Sequence, residues 1–199
     1  MSSAAFELQE DLLTDIEIEF GADARLRLET WQALTLSAVG LPPKQQLERV
    51  NDFFNRIPFV SDSQHWDTED YWATPIELLA TFGADCEDYS IAKYLTLRAL
   101  GIDEDQLRIT YVKALELDQA HMVLSYYPTP ESDPWIMDNL INDIKPASQR
   151  ADLKPVYSFN AEGLWLTKLK RRDEHRIGDS SRLKRWSDLN RRMFSAITP

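Results

Sequence analysis

The chain has 199 residues, 43% of them hydrophobic, and a formal net charge of −11, a globular composition long enough to enclose one substantial core. So acidic a chain lacks the basic face that phosphate binding requires, and no nucleic-acid partner is expected. No apolar run reaches the ~18 residues of a membrane-spanning helix, so no direct membrane insertion is expected; the single cysteine, Cys86, excludes an internal disulfide and a paired-thiol metal site.

The start, Met1 to Leu8, shows no basic segment followed by an apolar one, so no export signal is visible; a cytosolic protein or a trimmed mature form both fit. The pattern predicts an α+β fold in a single domain over 1–199. A helical part spans about 22–100, a sheet part about 105–166 and a C-terminal helix about 181–197. Residues 22–39 read as a helix ending at Gly40, and a second helix starts near Pro43, since proline suits the first helical turn. Leu47, Val50, Phe53, Phe54 and Ile57 form its apolar stripe, and Pro58 stops it. Residues 61–73 read as a polar-aromatic loop. Thr74 then caps a short helix, Pro75 to Phe82, closed by Gly83.

A helix from about Cys86 to Leu100 ends at Gly101, after which the period changes to that of strands. Leu107–Leu115, His121–Tyr127 and Trp135–Leu140 read as an antiparallel meander, with short strands at Val156–Phe159 and Leu164–Leu166. The tail from Ser181 to Ile197 is a basic amphipathic helix with Leu183, Trp186, Leu189, Met193 and Ile197 on one face. Its arginines read as a solvated outer face.

Three residues carry the candidate chemistry: Cys86, His121 and Asp138. A cysteine in the first turn of a helix meets unpaired backbone N–H groups and the positive end of the helix dipole, both of which favour the nucleophilic thiolate. His121 opens one strand and Asp138 lies in the next, so the carboxylate can hold the imidazole as an orienter holds a base. Read singly, each has a plainer role: a small buried hydrophobe, a core histidine, a strand-end turn residue. His65 and His175 read as surface residues. Asp85, Glu87 and Asp88 surround the thiol. They suit a helix N-terminus, but they also raise the pKa of the thiol. A bound calcium ion would use such a carboxylate cluster and remove that negative field, although the spacing is not that of an EF-hand.

Gly83-Ala84-Asp85-Cys86-Glu87-Asp88-Tyr89-Ser90, followed by Ala120-His121-Met122-Val123 and Trp135-Ile136-Met137-Asp138-Asn139, resembles the bacterial transglutaminase-like cysteine proteinases over roughly residues 45–165. The resemblance implies a papain-like α+β core, with Cys86 as nucleophile, His121 as general base and acid, and Asp138 as orienter. It also implies calcium beside the cysteine, which fits Asp85, Glu87 and Asp88. By the same resemblance the substrate is a large surface adhesin cut near its N-terminus. The location is periplasmic, and the partner that sequesters the enzyme is an inner-membrane receptor for cyclic di-GMP.

The residues alone leave two other readings open: a transferase that passes the acyl group to an amine, and a calcium-dependent binding module without catalysis. The Cys86 amide is a natural oxyanion donor. The segment Gln64 to Trp72 is the place to look for a second donor, and its Trp66, Tyr71 and Trp72 for a cleft wall or for core.

Overall fold

The computed structural model describes residues 7–167, 174–180 and 183–197. Helix α1 (Glu10–Phe20) was not anticipated. Its apolar residues are not cleanly periodic, and it buries only Leu13 and Ile16 while Ile18 and Phe20 stay exposed. Gly21, at φ 89°, breaks the chain between α1 and α2 (Ala22–Ala38). That turn needs a residue without Cβ. Helix α2 buries Ala24, Leu28, Trp31, Thr35 and Ala38 at helical spacing.

Helix α3 (Pro43–Phe54) starts on its proline as expected but ends at Phe54, so Ile57 is buried from the following turn rather than from the helix. The expected loop holds a single helical turn, α4 (Asp62–His65). Helix α5 (Pro75–Thr81) is capped by Thr74, whose hydroxyl accepts from the Glu77 amide at 3.2 Å while the Glu77 carboxylate accepts from the Thr74 amide at 2.7 Å. The left-handed residue that ends α5 is Phe82 (φ 56°), one position before the glycine expected to do so. Helix α6 (Cys86–Ala99) follows, and Gly101 takes φ 93°.

Among the described residues the sheet has seven strands in the order β4-β3-β2-β1-β5-β6-β7, and every pairing is antiparallel. They are β1 (Leu107–Ala114), β2 (Gln119–Tyr126), β3 (Trp135–Met137), β4 (Lys145–Pro146), β5 (Leu153–Phe159), β6 (Leu164–Thr167) and β7 (Glu174–Gly178). The α+β class and the β1-β2-β3 meander expected from sequence are present. Strand β3 stops at Met137, not Leu140, so Asp138 lies just past the strand. Strands β4 and β7 escaped sequence reading because one is two residues long and the other, which contains His175, is charged.

Helix α6 lies across β1 and β2. Ile109, Met122, Leu124 and Met137 join the helices in the main core, and alternation sends Val112, Val123 and Ile136 to a small cluster on the other face. Trp31 Nε1 donates to Thr96 Oγ1 at 3.0 Å, locking α2 to α6.

Helix α7 (Lys184–Ile197) buries Trp186 and Leu189. The expected start at Ser181, and the side chain of Ile197, lie outside the described residues. Its basic face is less solvated than its composition suggests. Arg185 pairs with Asp70 at 2.9 Å, and Arg192 donates to the Tyr71 hydroxyl at 2.6 Å and pairs with Glu77. Asp70 on the loop before α5 and Glu77 on α5 itself supply the counter-charges, although Arg185 stays exposed, and no periodicity reveals these contacts.

Just before α6, a Cβ on Gly83 would lie 2.7 Å from the His65 imidazole, whose Nε2 hydrogen-bonds Thr81 Oγ1 at 2.7 Å. His65 is therefore a partly buried packing residue, not a surface one. Gly83→Ala is expected to cost about 1–3 kcal/mol by urea denaturation, and much less in a His65→Ala background, where the clash is gone.

Candidate active site

Cys86 is the first residue of α6 and is partly buried. Its amide is one of the four helix N–H groups without an intrahelical partner. Its thiol donates to Glu87 Oε2 at 3.0 Å. Burial pushes the thiol pKa far upward. The charge of Glu87, the hydrogen bond to it and the charge of Asp85 add to that, and only the Met122 amide works in the opposite direction. The conflict expected from the sequence, between a helix N-terminus and its acidic residues, is resolved against the thiolate by the protein atoms alone.

His121 is the third residue of β2, and its Nε2 meets Asp138 Oδ1 at 2.8 Å. Continuing the β2–β3 register past Leu124–Met137 sets Asp138 opposite Val123, on the same face as His121. Use of Nε2 for Asp138 leaves Nδ1 as the ring nitrogen for proton transfer. The structure thus brings His121 and Asp138 together. The Met122 amide, one residue on, faces the sulfur, while the thiol hydrogen goes to Glu87 rather than to His121.

Asp138 is 1% exposed. A buried carboxylate needs partners. Oδ1 also accepts from the Leu140 amide at 3.0 Å, and Oδ2 accepts from Arg150 Nη2 at 2.7 Å. Burial pushes the Asp138 pKa up, but the His121 hydrogen bond and charge, the Leu140 amide and Arg150 outweigh it and bring it to about 2. Its carbonyl accepts from Asn55 Nδ2 at 2.8 Å, which ties the turn after β3 to α3. Arg150, itself 3% exposed, also binds Asp152 at 2.7 Å. It is the main residue that sequence reasoning missed, because it sits in an irregular stretch between β4 and β5 with no motif around it.

The acidic group is larger than the expected Asp85, Glu87 and Asp88. Asp62 and Asp70, from the loop before α5, join it: ligand oxygens of Asp62, Asp85 and Asp88, and of Asp62, Asp70 and Glu87, lie within 4.8 Å of one another. Buried Asp62 Oδ1 and Asp85 Oδ1 have no hydrogen-bond partner. Burial, followed by neighbouring negative charge, raises the pKa of Asp85. The pKa of Asp62 is raised to about 6, by burial against the opposing Tyr71 amide and with help from Glu87. Asp88 is committed in part, accepting from the Ala73 amide at 2.7 Å and the Asp85 amide at 3.3 Å. An all-oxygen, multiply negative set with orphaned buried oxygens fits a hard cation such as calcium. Density of acids in 62–70 was the only sequence signal for the added pair.

Four amides of the segment Gln64 to Trp72, where a second oxyanion donor was sought, are already spent. The amides of Gln64 and His65 go to the Ser61 carbonyl, that of Trp66 to the Asp62 carbonyl and that of Tyr71 to Asp62 Oδ2. Trp72 is core, stacked on Phe159 at 5.6 Å.

Residues 32–162 match the model of the bacterial transglutaminase-like cysteine proteinases. The chain belongs to that family. Its fold is that of LapG from Legionella pneumophila, a solved structure at 47% identity and TM-score 0.81, covering 96% of this chain and 99% of that one. An EGTA-treated form of the same protein matches at 47% identity and TM-score 0.82, covering 96% and 100% of the two chains. A calcium-bound form matches at 48% and 0.79, covering 92% and 98%. No curated protein matches the chain. This proteinase is thus one whose structural relative has been seen both with calcium and after chelator treatment. No helix among the described residues is long and apolar enough to cross a membrane.

Asp138 ionises about 2 in the fold against an ordinary 3.8. The stability it contributes is complete above the ordinary value and is lost as pH falls toward 2. Arg150→Met is expected to cost about 3–5 kcal/mol, because it strands a buried charge, and to move the acid-side loss of stability to higher pH in a pH series of urea melts.

Proposed function

We propose that this proteinase is a calcium-dependent cysteine endopeptidase in which Cys86 is the nucleophile, His121 the general base and acid, and Asp138 the orienter. The observation that carries this is the buried hydrogen bond from His121 to an ionised Asp138, next in sequence to the Met122 amide that faces the sulfur of a helix-start cysteine. The Cys86 thiolate attacks a substrate carbonyl, and the oxyanion that forms accepts from the Cys86 amide. His121 holds the proton on Nδ1 and passes it to the leaving amine. Water, deprotonated by His121, then hydrolyses the thioester and restores the thiol. Asp138, fixed by Arg150 and Leu140, keeps the ring in the tautomer that leaves Nδ1 available.

Asp62, Asp85, Glu87 and Asp88 would hold the calcium, with Asp70 at the edge. The ion would offset the negative field that otherwise keeps the thiol protonated. The calcium-bound and EGTA-treated states known for LapG support this reading. We propose, on the family likeness, that the substrate is the N-terminal region of a large surface adhesin whose release disperses biofilm. On the same ground we propose that the enzyme works in the periplasm and that an inner-membrane cyclic-di-GMP receptor restrains it.

Incubation with an adhesin N-terminal fragment is expected to give two products with one new N-terminus and no isopeptide-linked product. Cys86→Ala abolishes the cleavage, and cleavage that survives the substitution overturns the mechanism. EGTA is expected to stop cleavage and excess calcium to restore it, with activity unchanged in a metal-stripped sample as the contrary result. Asp62→Asn is expected to raise the calcium concentration for half-maximal cleavage by about 10-fold or more, since one of the ligand charges is lost.

A further inference from the structure

Two of the acids that would hold the calcium are set by one short stretch of backbone. The Tyr71 amide donates to Asp62 Oδ2 at 2.5 Å, and the Ala73 amide donates to Asp88 Oδ1 at 2.7 Å. Both carboxylates are buried, and Asp62 Oδ1 is left without a partner. Ligand oxygens of Asp62, Asp85 and Asp88 lie within 4.8 Å of one another. Tyr71-Trp72-Ala73 is therefore a bracket whose alternate amides orient two of these three acids. The bracket itself belongs to no helix or strand, so no ladder of its own fixes it.

Helix α7 holds it instead. Arg192 Nη2 donates to the Trp72 carbonyl at 2.5 Å, between the two donating amides, and Nη1 donates to the Tyr71 hydroxyl at 2.6 Å and pairs with Glu77. The guanidinium also lies over the Tyr71 ring, 4.6 Å from its centroid. A planar fork holds such separated acceptors in one fixed geometry, which a single ammonium does not. Trp186 of the same helix meets Phe159 edge-on at 5.5 Å, and Phe159 stacks on Trp72 at 5.6 Å. Helix α7 thus grips the bracket by its backbone and, through Phe159, by the Trp72 ring.

We propose that Arg192 is a positioning residue for the calcium site. From α7 it holds Tyr71, Trp72 and Ala73 in the conformation whose amides aim Asp62 and Asp88 at the ion. The C-terminal helix is then part of the site, although no α7 side chain among the described residues supplies a candidate ligand. This inference rests on the calcium reading of the acidic group. Charge and position act in opposite directions here. Loss of a cation near the acids tightens calcium binding by charge alone, whereas loss of the groups that orient the ligands weakens it.

The test titrates calcium alone into the metal-stripped full chain by calorimetry, so it needs no proteolysis. Arg192→Met is expected to raise the dissociation constant about 10-fold, the lower end of what losing a ligand-orienting partner costs. Tyr71→Phe keeps every charge and the Trp72 link and is the second variant. It is expected to raise the constant by a smaller factor, and to add nothing further in the Arg192→Met background, because both act through one bracket. Arg185→Met removes a cation of the same helix that pairs with Asp70 at 2.9 Å, and is expected to leave the constant unchanged or lower it. An Arg192→Met protein that binds calcium as tightly as the parent, or more tightly, overturns this inference alone. So do fully additive losses in the double variant, and a loss in Arg185→Met equal to that in Arg192→Met, which marks a general loosening of α7. A parent protein that takes up no calcium overturns the calcium reading and this inference with it.

Discussion

A fully buried carboxylate, Asp138, organises this molecule. Ionised inside the protein, it must be compensated by hydrogen bonds that cannot all come from one element. His121 reaches it from β2, Arg150 from the stretch between β4 and β5, and Leu140 from the turn after β3, while Asn55 at the C-cap of α3 holds its carbonyl. The short end strands β3 and β4, the helix layer and the dyad are thus fastened at one point. The dyad is rigid because its partners are buried with it, and the low pKa of Asp138 is the thermodynamic mark of that fastening.

The other side of the site obeys the opposite rule. Around Cys86 the carboxylates are numerous and only partly satisfied, and burial raises the pKa of Asp62, Asp85 and Asp88. At Asp138 protein cations do the compensating. At Asp85 and Glu87 no arginine or lysine among the described residues does. Arg185 reaches Asp70 at the rim, and Arg192 is occupied with Glu77. This contrast between a charge-balanced half and a charge-unbalanced half is the physical basis for proposing calcium at the latter, and it explains how one site can hold both an ionised carboxylate and a protonated thiol.

Much of the fold was legible in the chain. The stripes of α2, α3 and α6 and the period change after Gly101 place the helix layer and the meander, because those segments bury a single face. The failures have specific causes. Helix α1 buries two residues of eleven, so its pattern is faint. Strand β7 pairs with β6 but is charged, so it shows no apolar alternation. The extension of α3 to Ile57 failed because burial does not require helix: Ile57 packs from a turn.

The sequence by itself pointed to the local chemistry: a thiol at a helix start, acids on both sides of it, a histidine in an apolar strand and an aspartate near the end of the next. Those are properties of neighbouring residues and of strand alternation, and they are readable wherever the period is clear. Tertiary structure alone decided which distant groups complete the site. Arg150 behind Asp138, and Asp62 and Asp70 beside Asp85 and Glu87, come from segments with no spacing relation to the residues they serve. Only packing and the need to neutralise buried charge bring them there, and neither leaves a mark in a linear pattern.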